Sequence, residues 1–93
     1  MPDDAYHEKH IFFNPHAIER FAQYNIPTDE IRKMLKSGVI VDDLGHDRRK
    51  LCIYKRSQEY LTIVFEPIKE YVFIITSYPS KEWEIDMFKK GKR

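Results

Sequence analysis

The run from Leu51 to Ser77, LCIYKRSQEYLTIVFEPIKEYVFIITS, decides the fold. It contains three stretches rich in β-branched and aromatic residues, Leu51 to Lys55, Tyr60 to Glu66 and Tyr71 to Ser77. Such residues suit a pleated, half-buried surface. The breaks between them, Arg56-Ser57-Gln58-Glu59 and Pro67-Ile68-Lys69-Glu70, are short enough for hairpins. The spacing therefore predicts three strands in an antiparallel meander. Val39-Ile40-Val41 adds a strand before them, across the polar segment Asp42 to Asp47.

Upstream of Gly38 the apolar spacing is helical. Tyr6 to Phe13 reads as an edge strand or extended arm, halted by Asn14-Pro15. Asn14 suits a cap and Pro15 the first helical position, where a missing N–H costs nothing. A first helix is thus predicted from about Pro15 to Tyr24, with Ile18, Phe21 and Ala22 toward a core and Asn25-Ile26-Pro27 as its stop. Thr28 is read as the cap of a second helix, Asp29 to Lys36, whose apolar residues are Ile31, Met34 and Leu35. After the meander, Ser80 is read as the cap of a last helix carrying Trp83, Met87 and Phe88, followed by the basic tail Lys89 to Arg93. The order is β-α-α-β-β-β-β-α, an α+β fold with an antiparallel sheet packed against helices. Tyr60, Phe65, Tyr71, Phe73 and Tyr78 alternate through the meander, so some point away from the first two helices. Either the last helix folds back over these, or they stay open to a partner.

Ninety-three residues with 42% hydrophobic content suffice for one core, so residues 1–93 read as a single domain. Sixteen Lys and Arg against fifteen Asp and Glu leave a formal charge of +1, which excludes a wholly basic nucleic-acid coat and makes any polyanion site local. Cys52 is the only cysteine, so no intramolecular disulfide forms and a reducing interior is expected. No apolar run approaches the ~18 residues of a membrane span, and Met1-Pro2-Asp3-Asp4 lacks the features of a secretory signal. A cytoplasmic protein without a membrane partner is the expectation. His7, His10 and His46 have a metal-like spacing but sit on an arm and a loop, so no metal site is expected. Gly38, Gly45 and Gly91 make no phosphate loop, and no cofactor is expected.

Two groups of residues carry candidate chemistry. His16 and Arg20, four apart, share a helix face beside the amides of the first turn, which together suit an anion. The same residues equally describe a solvated helix start. His46, Arg48, Arg49, Lys50, Lys55 and Arg56 form a local basic excess against Asp47 alone. These read either as phosphate contacts or as charges guarding a sheet edge.

The element order and length resemble the RelE/ParE superfamily of small bacterial toxins over roughly Tyr6 to Phe88. His16-Ala17-x-x-Arg20, Ile26-Pro27, Ser37-Gly38, Asp47-Arg48-Arg49 and Thr76-Ser77-Tyr78-Pro79 resemble more closely a domain-of-unknown-function family with a His-Ala-x-x-Arg helix. The resemblance implies a toxin of a toxin–antitoxin system, with an antitoxin as partner and RNA or the ribosome as target. The reaction it implies is metal-independent RNA cleavage by internal 2′-hydroxyl attack, an endoribonuclease activity. Such cleavage needs a base, cations for the phosphorane charge and an acid. His16, Arg20, Arg49 and Tyr78 are the candidate catalytic residues. Arg48, Lys50, Lys55 and Thr76 are the candidate RNA contacts. The alternative is a non-catalytic protein- or RNA-binding module of the same fold. Oligomeric state is left open, with a dimer among the options.

Overall fold

The computed structural model describes residues 5–91. Its elements are β1 (His10–Phe13), α1 (Pro15–Gln23), α2 (Ile31–Ser37), β2 (Val39–Asp42), β3 (Lys50–Arg56), β4 (Glu59–Ile68), β5 (Tyr71–Pro79) and α3 (Glu82–Gly91). Single 3-10 turns at Tyr6–Glu8 and Thr28–Glu30 precede β1 and α2. The five strands form one mixed sheet in the order β1-β5-β4-β3-β2. The meander β2-β3-β4-β5 is antiparallel, as its short breaks require. The wholly antiparallel sheet expected from the sequence is corrected at β1, which runs parallel to β5 with His10 beside Tyr71 and Phe13 beside Ile74. Alternation within a four-residue strand specifies a buried face but not a direction. Here the direction is set by the two helices that separate β1 from β2.

Register assigns the two sheet faces. Cys52 and Tyr54 of β3, Leu61, Ile63 and Phe65 of β4, and Val72 and Ile74 of β5 join Ala17 and Phe21 of α1 and Met34 and Leu35 of α2 in the main core. Ile11 and Phe13 of β1 pack against the same cluster. Tyr6 closes it with an edge-on contact to Phe65, ring centroids 5.2 Å apart. The residues between these point to the opposite face, where α3 lies across β2 and β3 and Glu84 reaches Thr62 and Tyr78. The sheet is therefore sandwiched, with two helices on one side and one on the other.

Helix ends follow local chemistry, with one departure from expectation. Asn25 adopts φ 57° past the end of α1. Its N–H bonds to the Ala22 carbonyl and the Ile26 N–H to that of Phe21, a left-handed stop that buries Ile26. Thr28 does not cap α2: it begins a 3-10 turn with no side-chain cap, and the α-helix starts at Ile31. Gly38 is needed for space rather than for conformation. Its φ is −78°, but a Cβ there would stand 2.8 Å from the carbonyl oxygens of Ile53 and Met34 and 2.6 Å from Cys52 Sγ. The absence of a side chain lets α2 run directly into the sheet.

Candidate functional site

Asn14, Pro15 and His16 fold as their residue types dictate, and in doing so they occupy the amides expected to help bind an anion. The Asn14 side chain accepts the His16 N–H at 2.8 Å, and Pro15 has none to offer. The Ala17 and Ile18 amides bond to the Asn14 carbonyl at 2.8 and 3.2 Å. The expected free amides of the first turn are thus all engaged. What survives is the side-chain pair: Arg20 Nε donates to His16 Nε2 at 3.3 Å, with His16 exposed and Arg20 half-buried. With Nε2 accepting, a neutral imidazole carries its proton on Nδ1.

Tyr78 lies on β5, opposite Thr62 of β4, on the face that α3 covers. Its hydroxyl donates to Glu84 Oε2 at 2.6 Å. Glu84 is completely buried. Its Oε1 accepts from Thr62 Oγ1 at 2.9 Å and from the Lys81 N–H at 2.7 Å. The last bond is half of a capping box: the third residue of α3 satisfies the N–H that precedes the helix. Ser80, expected as the cap, instead shares a 2.7 Å hydrogen bond with Thr62. Burial first, then the hydrogen bond and charge of Glu84, and lastly Asp43, push the Tyr78 phenol well above its ordinary value.

That shift gives a pH dependence with a definite sign. The folded chain keeps a proton that the unfolded chain releases above about pH 10, so this stabilisation is complete below that pH and is lost as pH rises. Thermal midpoints measured from about pH 8 to about pH 11 should fall at the alkaline end, and Tyr78→Phe should flatten part of that fall. Parallel curves for the two proteins would show that the phenol is not held in this way.

The basic residues do not form one surface. Lys50 Nζ is 2.6 Å from Asp42 Oδ1. Arg56 caps α1, donating to the carbonyls of Asn25 and Tyr24 at 2.9 Å each, and sits 3.6 Å from Glu59. Arg49 Nε is buried without a hydrogen-bond partner. Arg48 is exposed in the loop before β3, while Lys55 is exposed near its far end, with Nζ 5.7 Å from the centre of the Tyr60 ring. At ~3.3 Å per residue, Arg48 and Lys55 stand about 20 Å apart along the strand. Thr76 pairs with Val64 on the same face as Tyr78.

The structure thus brings His16 and Arg20 together and groups Tyr78 and Thr76 on one face. Arg48, Arg49 and Lys50 stay at the start of β3, with Lys55 near its far end. α1, which carries His16 and Arg20, packs on the face opposite that of Tyr78, so the two groups lie on different sides of the sheet. Sequence reasoning missed Glu84. Its signal was present in the spacing Ser80-Lys81-Glu82-Trp83-Glu84, where an acid at the third helical position follows a polar cap. Among the described residues no group of three or more His, Cys, Asp or Glu side chains is placed to hold a metal ion. Among the same residues no helix is long and apolar enough to cross a membrane.

A family model described as a domain of unknown function (DUF4258) matches residues 13–79, from the last residue of β1 to the end of β5. No curated protein and no solved structure matches the chain.

Proposed function

The chain belongs to the DUF4258 family, and from that premise we propose that it is a RelE/ParE-like toxin that cleaves RNA, with His16 and Arg20 as its reactive pair. Support for the fold comes from the element order and from a sheet flanked by two N-terminal helices and one C-terminal helix. Support for the chemistry rests on one observation, the 3.3 Å contact between Arg20 Nε and His16 Nε2. A phosphodiester competes for that guanidinium, because it carries a full negative charge and can meet the planar fork through two parallel hydrogen bonds where the imidazole accepts one. As Arg20 turns to the phosphate, the Nε2 lone pair is freed beside the substrate that displaced it. His16 then takes the proton of the 2′-hydroxyl, O2′ bonds to phosphorus, and the P–O5′ bond breaks with the 5′-oxygen taking a proton from water. Arg20 offsets charge on the phosphorane. No metal is required. RNA places this activity in the cytoplasm, and an antitoxin is the partner that restrains it.

A second reading, a non-catalytic binding module, is favoured by the commitment of Tyr78 to Glu84 and of Lys50 and Arg56 to partners within the fold. These leave His16 and Arg20 without a neighbouring second acid. Incubating the purified chain with RNA separates the readings. Cleavage expects products ending in 2′,3′-cyclic phosphate and an intact all-deoxy control. RNA that is bound but uncut, or neither bound nor cut, removes the enzyme reading.

A further inference from the structure

β1 and β2 are the two edges of the sheet, and they are treated differently. At β2 the ion pair Asp42–Lys50 ends the strand and α3 packs alongside, with Gly91 close against Val39. At β1 the strand is His10-Ile11-Phe12-Phe13, with no lysine, proline or charged pair, the usual devices that blunt an edge. Beside it lies the largest apolar exposure of the described sheet. Phe12 is 52% exposed, Ile68 48%, Tyr71 46% and Phe73 36%. The Phe12 and Tyr71 rings are 5.4 Å apart, and the group lines a shallow depression of about 490 Å³.

The direction of the backbone groups on β1 follows from its pairing. The His10 N–H bonds to the Glu70 carbonyl and the Asn14 N–H to that of Ile74, so the even-numbered residues bond to β5. In a parallel ladder the intervening residues, Ile11 and Phe13, then present their N–H and C=O groups outward. Two such edges fit each other about one point. Placed antiparallel with Phe12 opposite Phe12 of the other copy, Ile11 of each strand faces Phe13 of its mate, and all four outward residues bond. The Phe12 side chains then meet across the axis on one face, flanked by Tyr71 and Phe73 of both copies, while Ile11 and Phe13 remain with the two cores.

We infer that this chain self-associates through β1, two copies pairing antiparallel about a two-fold axis at Phe12 to make one ten-stranded sheet. The cations nearest this edge sit at its start, Lys9 held by the Lys69 carbonyl and Arg32 by the His7 and Lys9 carbonyls. A two-fold at Phe12 puts the two strand starts at opposite ends of the seam, so like charges do not meet. The seam is small. Edge pairing covers the flank of Phe12, the adjoining sides of Tyr71 and Phe73 and the main chain of β1, while Ile68 lies two strands in. Each partner therefore gives less than the ~800 Å² of a standard interface, and the association is weak. This inference is independent of any action on RNA.

Light scattering and sedimentation of the purified chain test it. The expected result is a concentration-dependent species of twice the 11.3 kDa monomer mass. Phe12→Glu and Tyr71→Glu should each weaken the dimer on the order of 100-fold. Both side chains are substantially exposed, and circular dichroism matching the parent verifies that the variants fold. Leu44→Glu, at an exposed position after β2, should leave the dimer unchanged. Phe12→Cys should oxidise to a covalent dimer, because directly opposed residues of a non-hydrogen-bonded pair place their Cα atoms about 4.5 Å apart. A chain that stays monomeric up to about 1 mM overturns the inference. So does a dimer indifferent to Phe12→Glu and Tyr71→Glu, or one cross-linked through His10→Cys but not Phe12→Cys.

Discussion

Glu84→Ala should lower the unfolding free energy by about 3 kcal/mol, a large part of the margin of a domain this small. The carboxylate is fully buried and takes hydrogen bonds from Tyr78, Thr62 and the Lys81 amide. Its removal leaves those donors facing a cavity that alanine does not fill, and an unsatisfied buried polar group costs about 1–3 kcal/mol. It also frees the first turn of α3, since Ser80 is engaged by Thr62 and does not take over the cap. Glu84→Gln is the sharper comparison. Its amide oxygen can still accept from Lys81 and Thr62, but its NH2 turns toward a phenol that must become the acceptor. A loss nearer 1 kcal/mol is expected. In urea the midpoint of Glu84→Ala should drop by about 1–3 M with little change in slope. If it moves by no more than a few tenths of that, the network does not hold α3 to the sheet. Thr62→Val and Tyr78→Phe should each cost less and should combine non-additively with Glu84→Ala, since the three groups share one carboxylate.

The parts of this fold legible in the sequence are those governed by neighbours along the chain. Asn14-Pro15 starts a helix because a short side-chain acceptor and a missing N–H both suit its first turn. Asn25 ends that helix because asparagine tolerates a left-handed backbone. The meander from Val39 to Pro79 follows from β-branched runs cut by short polar breaks. What could not be read are the choices made between distant segments. β1 runs parallel to β5 because of how two helices return the chain, and nothing in His10-Ile11-Phe12-Phe13 encodes that. Arg56 looked like part of a basic surface until its carbonyl partners just past the end of α1, more than thirty residues away, gave it a structural task. Tyr78 looked available for catalysis because its partner is Glu84, on a helix whose docking face the sequence leaves open. The four-residue spacing of His16 and Arg20 survives because it is set within one helix.

His16→Ala should reduce RNA cleavage by at least about 100-fold, the lower end of what a positioned general base contributes. The position favours a clean measurement: His16 is exposed, and its backbone N–H bond to Asn14 does not depend on the imidazole. Stability should therefore change by no more than about 0.5 kcal/mol, so lost activity reports chemistry rather than unfolding. Arg20 tests the other half of the pair. Arg20→Lys keeps a positive charge but loses the planar fork and the Nε–H that occupies His16 Nε2. If Arg20 only orients the imidazole, Arg20→Lys and Arg20→Ala should slow cleavage equally. If it also binds the phosphate, the lysine variant should retain more activity, and RNA binding should weaken less steeply with added salt in Arg20→Ala than in the parent, the slope losing about one phosphate contact. The proposed displacement of Arg20 by phosphate requires that second pattern. Full cleavage by His16→Ala would remove the imidazole from the mechanism, and the exposed pair would then be a helix-stabilising contact of four-residue spacing, worth a few tenths of a kcal/mol.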